Sequence, residues 1–370
     1  AGGSIQRDTL ATGSNVITIN APLRLQGNYQ FYNNNGDSGG FRIGGAISGT
    51  ATAGNYQTLT LNGWSAASSN NVISGAITDG TNGGGLNVSL YGPSIWTLSG
   101  TSTITGRVIM SSGGANGILR NAGNLTAGGT PYDTIFRLQN GTFDNQGQLT
   151  LTGPISLDNN ASRLMNSGTI GQSGGNRMIF LNEGSSAANS GVINLHGIAV
   201  GDWGADGGAA NTATFTNNTG GAITVSELNV GKYKYGTFNN SGGNTTVSSL
   251  LGIGKADNGR TAAAGTNTFN LNSGTVTVNS GATFRLGAYN TASDATGIFN
   301  LNGGTLATAV GVTGPSGSNN TGTFNFNGGT LQATANNMTL LGTGLTAVNI
   351  RTNGATVDVG SGLTATISAN

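Results

Sequence analysis

The chain of 370 residues contains no cysteine, five prolines and one histidine, and only 7% of its residues carry a charge. The missing cysteine excludes a disulfide framework, a thiolate metal site and a cysteine nucleophile. The 14 Lys and Arg against 13 Asp and Glu leave a net charge of +1, and the basic residues are scattered from Arg7 to Arg351. No basic stripe can follow a phosphate backbone, which argues against nucleic acid as a partner. No run of about 18 apolar residues occurs, and no amphipathic basic helix, so direct membrane insertion is not expected either.

What replaces charge is glycine, 67 residues of it, together with Asn, Thr and Ser. Such a composition can signal disorder, but here 35% of the residues are hydrophobic and they alternate regularly, which allows a continuous core. One phrase recurs throughout: Asn, a small residue, Gly, a short residue and an aliphatic. It reads "NAGNL" at Asn121, "NQGQL" at Asn145, "NSGTI" at Asn166, "NSGVI" at Asn189, "NSGTV" at Asn272, "NGGTL" at Asn302 and Asn327, and "NGATV" at Asn353. Within the two runs, Asn121 to Asn189 and Asn272 to Asn353, successive copies lie roughly 21 to 30 residues apart, too short a unit to bury its own core, so units must stack as a solenoid.

Gly, Asn and Thr interrupt every window in which a helical apolar pattern might develop, whereas strand alternation is widespread. In "TFNLNSGTVTV" Phe269 and Leu271 alternate with Asn270 and Asn272, and beyond the turn Val276 and Val278 alternate with Thr275 and Thr277. A third segment follows, as "IAVG" at Ile198, "LNVG" at Leu228, "LGIG" at Leu251 and "FRLG" at Phe284. Three segments with corners and one variable loop match the rung of a parallel β-helix. The fold expected is all-β, a right-handed parallel β-helix with about three strand segments per rung. Phe215, Phe238, Phe269, Phe299 and Phe324 recur at equivalent positions and are expected to stack internally. Asn217 or Asn218, Asn240, Asn272, Asn302 and Asn327 are expected to form one amide ladder at the corner. Residues 1–110 repeat less cleanly and residues 111–370 more regularly, with no Pro-rich or charged linker between them, so both are read as one solenoid.

The stretch "ISGAITDGTNGGGLNVSLYGPSIWTLSGTSTITGRVIMSSG", from Ile73 to Gly114, resembles the autotransporter-associated β-strand repeat, and "FNLNGGTL" at Phe299 and "FNFNGGTL" at Phe324 look like the same class. The resemblance implies an exported bacterial surface protein of passenger or adhesin type. The autotransporter pattern continues into a translocator barrel, whereas the sequence stops at "TATISAN"; either that domain has been cleaved or the chain never used one. The opening "AGGSIQ" reads as the end left by a signal peptidase, so a secreted, extracellular location is expected.

Chemistry is sparse. The 13 acidic residues are isolated in sequence, although neighbouring rungs could still bring carboxylates together. Asp202 and Asp206 lie closest, flanking Trp203 in "GDWGADGG", where a ring and two carboxylates could meet a sugar or a cation; a solvated loop with Trp203 folded over a strand edge is the simpler alternative. His196 has no Ser, Cys or second His in a recognisable constellation. Lys232, Tyr233, Lys234 and Tyr235 form a basic and aromatic patch able to meet a glycan or an acidic polymer, or simply a solvated loop. Thr rows such as "TVTV" at Thr275 suit an ordered surface such as ice, but equally an ordinary β surface. No catalytic residue, metal site or cofactor is expected. The function expected is a non-enzymatic structural or adhesive β-solenoid, a surface adhesin or matrix fibre subunit that self-associates head to tail. Cell-surface or matrix glycans are further partners, and the alternative is a polysaccharide-binding or polysaccharide-active β-helix.

Overall fold

The computed structural model describes residues 2–368 except 9–14, 35–38, 65–70, 112–116, 128–135, 160, 183, 203–211, 255–264, 289–294 and 317–319. Among the described residues all regular structure is β, every pairing between named strands is parallel, and the rungs carry about three strands each. The chain is a parallel β-solenoid. It divides into two compact units, Ala1–Arg177 and Met178–Asn370.

In the first unit strands return to the same place every third element, giving three columns. The first column runs through Gly2–Arg7, Asn28–Asn33, Tyr56–Gly63, Gly85–Tyr91, Val108–Met110, Phe136–Leu138 and Ile155–Leu157. The second begins at Val16–Ile19 and the third at Leu23–Leu25, each climbing by the same step. Strand parity separates inside from outside: in Tyr56–Gly63, Leu59 and Leu61 are buried while Thr58, Thr60 and Asn62 face outward. The buried indole of Trp96 fills the interior beside Phe31 and Phe41, with ring centroids 6.2 and 5.7 Å away.

The second unit also has three columns, but several strands turn from one into the next without a break. Gly236–Ile253 is the extreme case: its successive parts pair with Gly265–Val278 and then with Thr283–Leu286. Phe215, Phe238, Phe269, Phe299 and Phe324 pair in register, all fully buried, with ring centroids 5.2, 4.8, 4.9 and 5.2 Å apart and interplanar angles of 25° or less. Identical rings one rung apart are held near the spacing of the backbone ladder, so the stack follows from the repeat itself. Gly274 shows what the corners demand. Its φ of +80° is a left-handed conformation, and a Cβ there would lie 2.2 Å from the carbonyl oxygen of Gly243 in the rung below.

Candidate functional site

The polar side chains that the fold brings together most completely are asparagines. An inner ladder in the first unit passes from Asn121 to Asn145 at 2.8 Å and from Asn145 to Asn166 at 2.7 Å, each Nδ2 donating to the next Oδ1. An equivalent ladder in the second unit runs Asn189 to Asn217 to Asn240, at 2.9 and 3.1 Å. These amides are buried, and backbone carbonyls at the corner take up further donor capacity, such as Thr169 for Asn145 and Ser273 for Asn240.

The single corner ladder expected through Asn240, Asn272, Asn302 and Asn327 is instead two. Asn240 lies two residues after Phe238, on the inward parity, and pairs with Leu271. Asn272 lies three residues after Phe269 and so falls outside; a register shift at Asn240 and Ser241 absorbs the difference. From Leu271 onward the inner position is apolar, occupied by Leu301 and Phe326. The displaced asparagines form their own chain on the solvent side, Asn302 donating to Asn272 at 3.0 Å and Asn327 to Asn302 at 3.3 Å. A further ladder escaped the sequence analysis. Asn270, Asn300, Asn325 and Asn349 each donate to the preceding member of a column that starts at Asn239, at 2.8, 2.8, 2.8 and 2.9 Å. Its signal was present, since each member up to Asn325 directly follows a Phe of the stack.

The charged candidates sit apart. Trp203 and Asp206 lie outside the described residues, as do Asp37, Asp133, Glu183, Asp257 and Asp294. Asp202 is described, and its Oδ1 meets Lys232 Nζ at 3.2 Å; the same ammonium lies 5.8 Å from the Phe180 ring and 5.2 Å from the Tyr233 ring. Within the "KYKY" patch, Lys232 is thus turned to an internal carboxylate. His196 Nε2 is 3.9 Å from Glu227 Oε1, an ion pair only when the imidazole is protonated, while Glu227 Oε2 accepts from Asn229 at 3.3 Å. An open cleft of about 560 Å³ in the first unit is lined by Arg24, Ser48, Thr78, Asp79 and Thr103. Both oxygens of Asp79 are occupied as backbone acceptors, for Leu86 N at 2.7 Å and Thr105 N at 2.8 Å, so this carboxylate clamps turns. No group of three or more His, Asp or Glu able to hold a metal occurs among the described residues.

Fold and ladders together define the class: a cysteine-free parallel β-solenoid stabilised by asparagine ladders and internal aromatic stacks. Comparison with known protein families, with curated proteins and with solved structures finds no match.

Proposed function

We propose that the chain is a non-enzymatic structural and adhesive β-solenoid of a bacterial surface or extracellular matrix, of the autotransporter-associated repeat type. The observation that carries this reading is like-on-like stacking. In the second unit Phe lies on Phe and Asn on Asn through successive rungs, with every polar step made by hydrogen bonds of about 3 Å. Such columns resist shear between rungs because each displacement breaks backbone, amide and ring contacts at once. A near-neutral surface fits the same role, since copies can approach without long-range repulsion.

The proposal includes self-association. The near-neutral composition and the like-on-like columns of the rungs suit contact between identical copies. The test is light scattering and electron microscopy of the purified chain over a concentration series. Assemblies that lengthen with concentration are expected; a monomer at every concentration, with no filament, overturns the self-associating version. Release of sugars from a broad polysaccharide panel would overturn the non-enzymatic one.

A further inference from the structure

Among the described residues the large aromatic side chains exposed to solvent are Tyr56, Trp64 and Tyr91, at 51, 75 and 46%. All three belong to two adjacent strands of the first column in the first unit, Tyr56–Gly63 with the residue that follows it, and Gly85–Tyr91. Among the described residues of the second unit the large exposed apolar side chains are aliphatic. This concentration of rings is what needs explaining.

Register fixes how the rings are arranged. Tyr91 pairs with Asn62, and Asn62 pairs with Tyr32 on the other side, so the two tyrosines stand in one outward row two rungs apart, about 10 Å. Trp64 follows the end of that strand, two residues beyond Asn62, with its backbone N–H on the Asn33 carbonyl of the preceding rung at 3.2 Å, which keeps it close to the Asn62 and Tyr91 pair. Tyr56, at the other end of the strand, pairs with Gly85; a Cβ at Gly85 would fall 2.4 Å from the Tyr56 ring. The glycine therefore lets that ring lie down across the next rung, with one side on the sheet and the other toward solvent. Between the rings the outward positions are Gln30, Thr58, Thr60, Asn62, Asn87 and Ser89. Every one is an uncharged amide or hydroxyl.

We infer that this face is a binding platform for a neutral, extended polysaccharide built of pyranose rings. A pyranose has an apolar C–H face and a rim of hydroxyls. Flat rigid aromatics match the first, at low entropic cost, and amides and hydroxyls match the second. The outward positions of Asn28–Asn33, Tyr56–Gly63 and Gly85–Tyr91 carry no charge, which suits a neutral polymer; one exposed cation, Arg107, borders the face in the next rung, its backbone N–H on Asn87 Oδ1 at 2.8 Å. The row from Tyr32 to Tyr91 spans about the length of two sugar rings in an extended chain, so one polymer can lie along the stacking direction and meet successive rungs. The inference supplies a ligand class for the adhesive part of the proposed function and rests on that part; the structural role and self-association stand without it.

The test is affinity electrophoresis and pull-down of the whole chain against cellulose, xylan and a neutral mannan, with polygalacturonate as the acidic comparison. Retention by at least one neutral polymer is expected, little changed by salt and competed by its oligosaccharides. Trp64→Ala combined with Tyr91→Ala weakens it by at least about tenfold, and Thr60→Glu, which keeps every ring but places a charge between them, does the same. Trp64→Phe retains most of the affinity. Trp64 and Tyr91 are exposed and Thr60 is half-buried on the outward side, so the melting temperature serves as the folding control; should the double variant unfold, Thr60→Glu and Trp64→Phe decide. No retention by any neutral polymer, preference for the acidic one, or unchanged binding in Thr60→Glu overturns the inference. Adhesion to protein-coated surfaces that the platform variants leave intact also overturns it, while sparing the adhesive reading.

Discussion

Asn145 shows how one side chain can hold three rungs. It accepts from Asn121, donates to Asn166 and reaches the Thr169 carbonyl, all from a fully buried position. Replacing it by Ala removes the acceptor of Asn121 and the donor to Asn166 from a fully buried position and interrupts the column, and the expected loss is about 2–4 kcal/mol by urea titration. Asn302 belongs to the ladder on the solvent side, where water can replace the lost partner, so Asn302→Ala is expected to cost less than about 1 kcal/mol in the same measurement. Equal losses at the two sites would contradict the division into inner and outer ladders. Phe269 sits between rings at 4.8 and 4.9 Å, and Phe269→Ala is expected to cost about 3–5 kcal/mol through lost burial and the cavity left behind.

At the scale of strands and corners, the repeat succeeds because the chain turns where glycine allows a close approach. Gly274 and Gly281 both have φ of +80°, but a Cβ would strike the Gly243 carbonyl at the first and meet open space at the second. Gly281→Ala thus isolates the conformational cost, about 1–2 kcal/mol, and Gly274→Ala should exceed it clearly in thermal melts. This scale also shows what a sequence reveals. Three segments per rung and the equivalence of the phenylalanines were legible, because period-two alternation and the spacing of "FN" phrases are local properties. The ladder frame was misread because the Asn-x-Gly phrase was aligned on its glycine, whereas parity counted from the Phe decides which asparagine points inward. The platform of Tyr32, Trp64 and Tyr91 was not legible at all, since these residues are far apart in sequence and only the pairing register gathers them.

For the molecule as a whole, 27 charged side chains are few for a chain of this length, and ion pairs such as Arg120 with Asp144 lie near the surface. Exposed pairs contribute little, so stability rests on stacked backbone, amides and apolar side chains. The melting temperature is expected to shift by no more than a few degrees between low salt and 1 M sodium chloride, measured by circular dichroism; a steep fall would reveal an electrostatic contribution that the composition does not suggest.

Repetition carries a hazard: a segment can settle one rung out of place and still find Phe opposite Phe and Thr opposite Thr. The step at which Asn240 faces Leu271, and the amide column ends, occurs at one described rung of the second unit. A misplaced strand there would press a leucine into the amide column or bury an asparagine among aliphatics. That single discontinuity works as an index mark, and erasing it, by Asn240→Leu or Leu271→Asn, should yield slower refolding and a mixture of misaligned conformers.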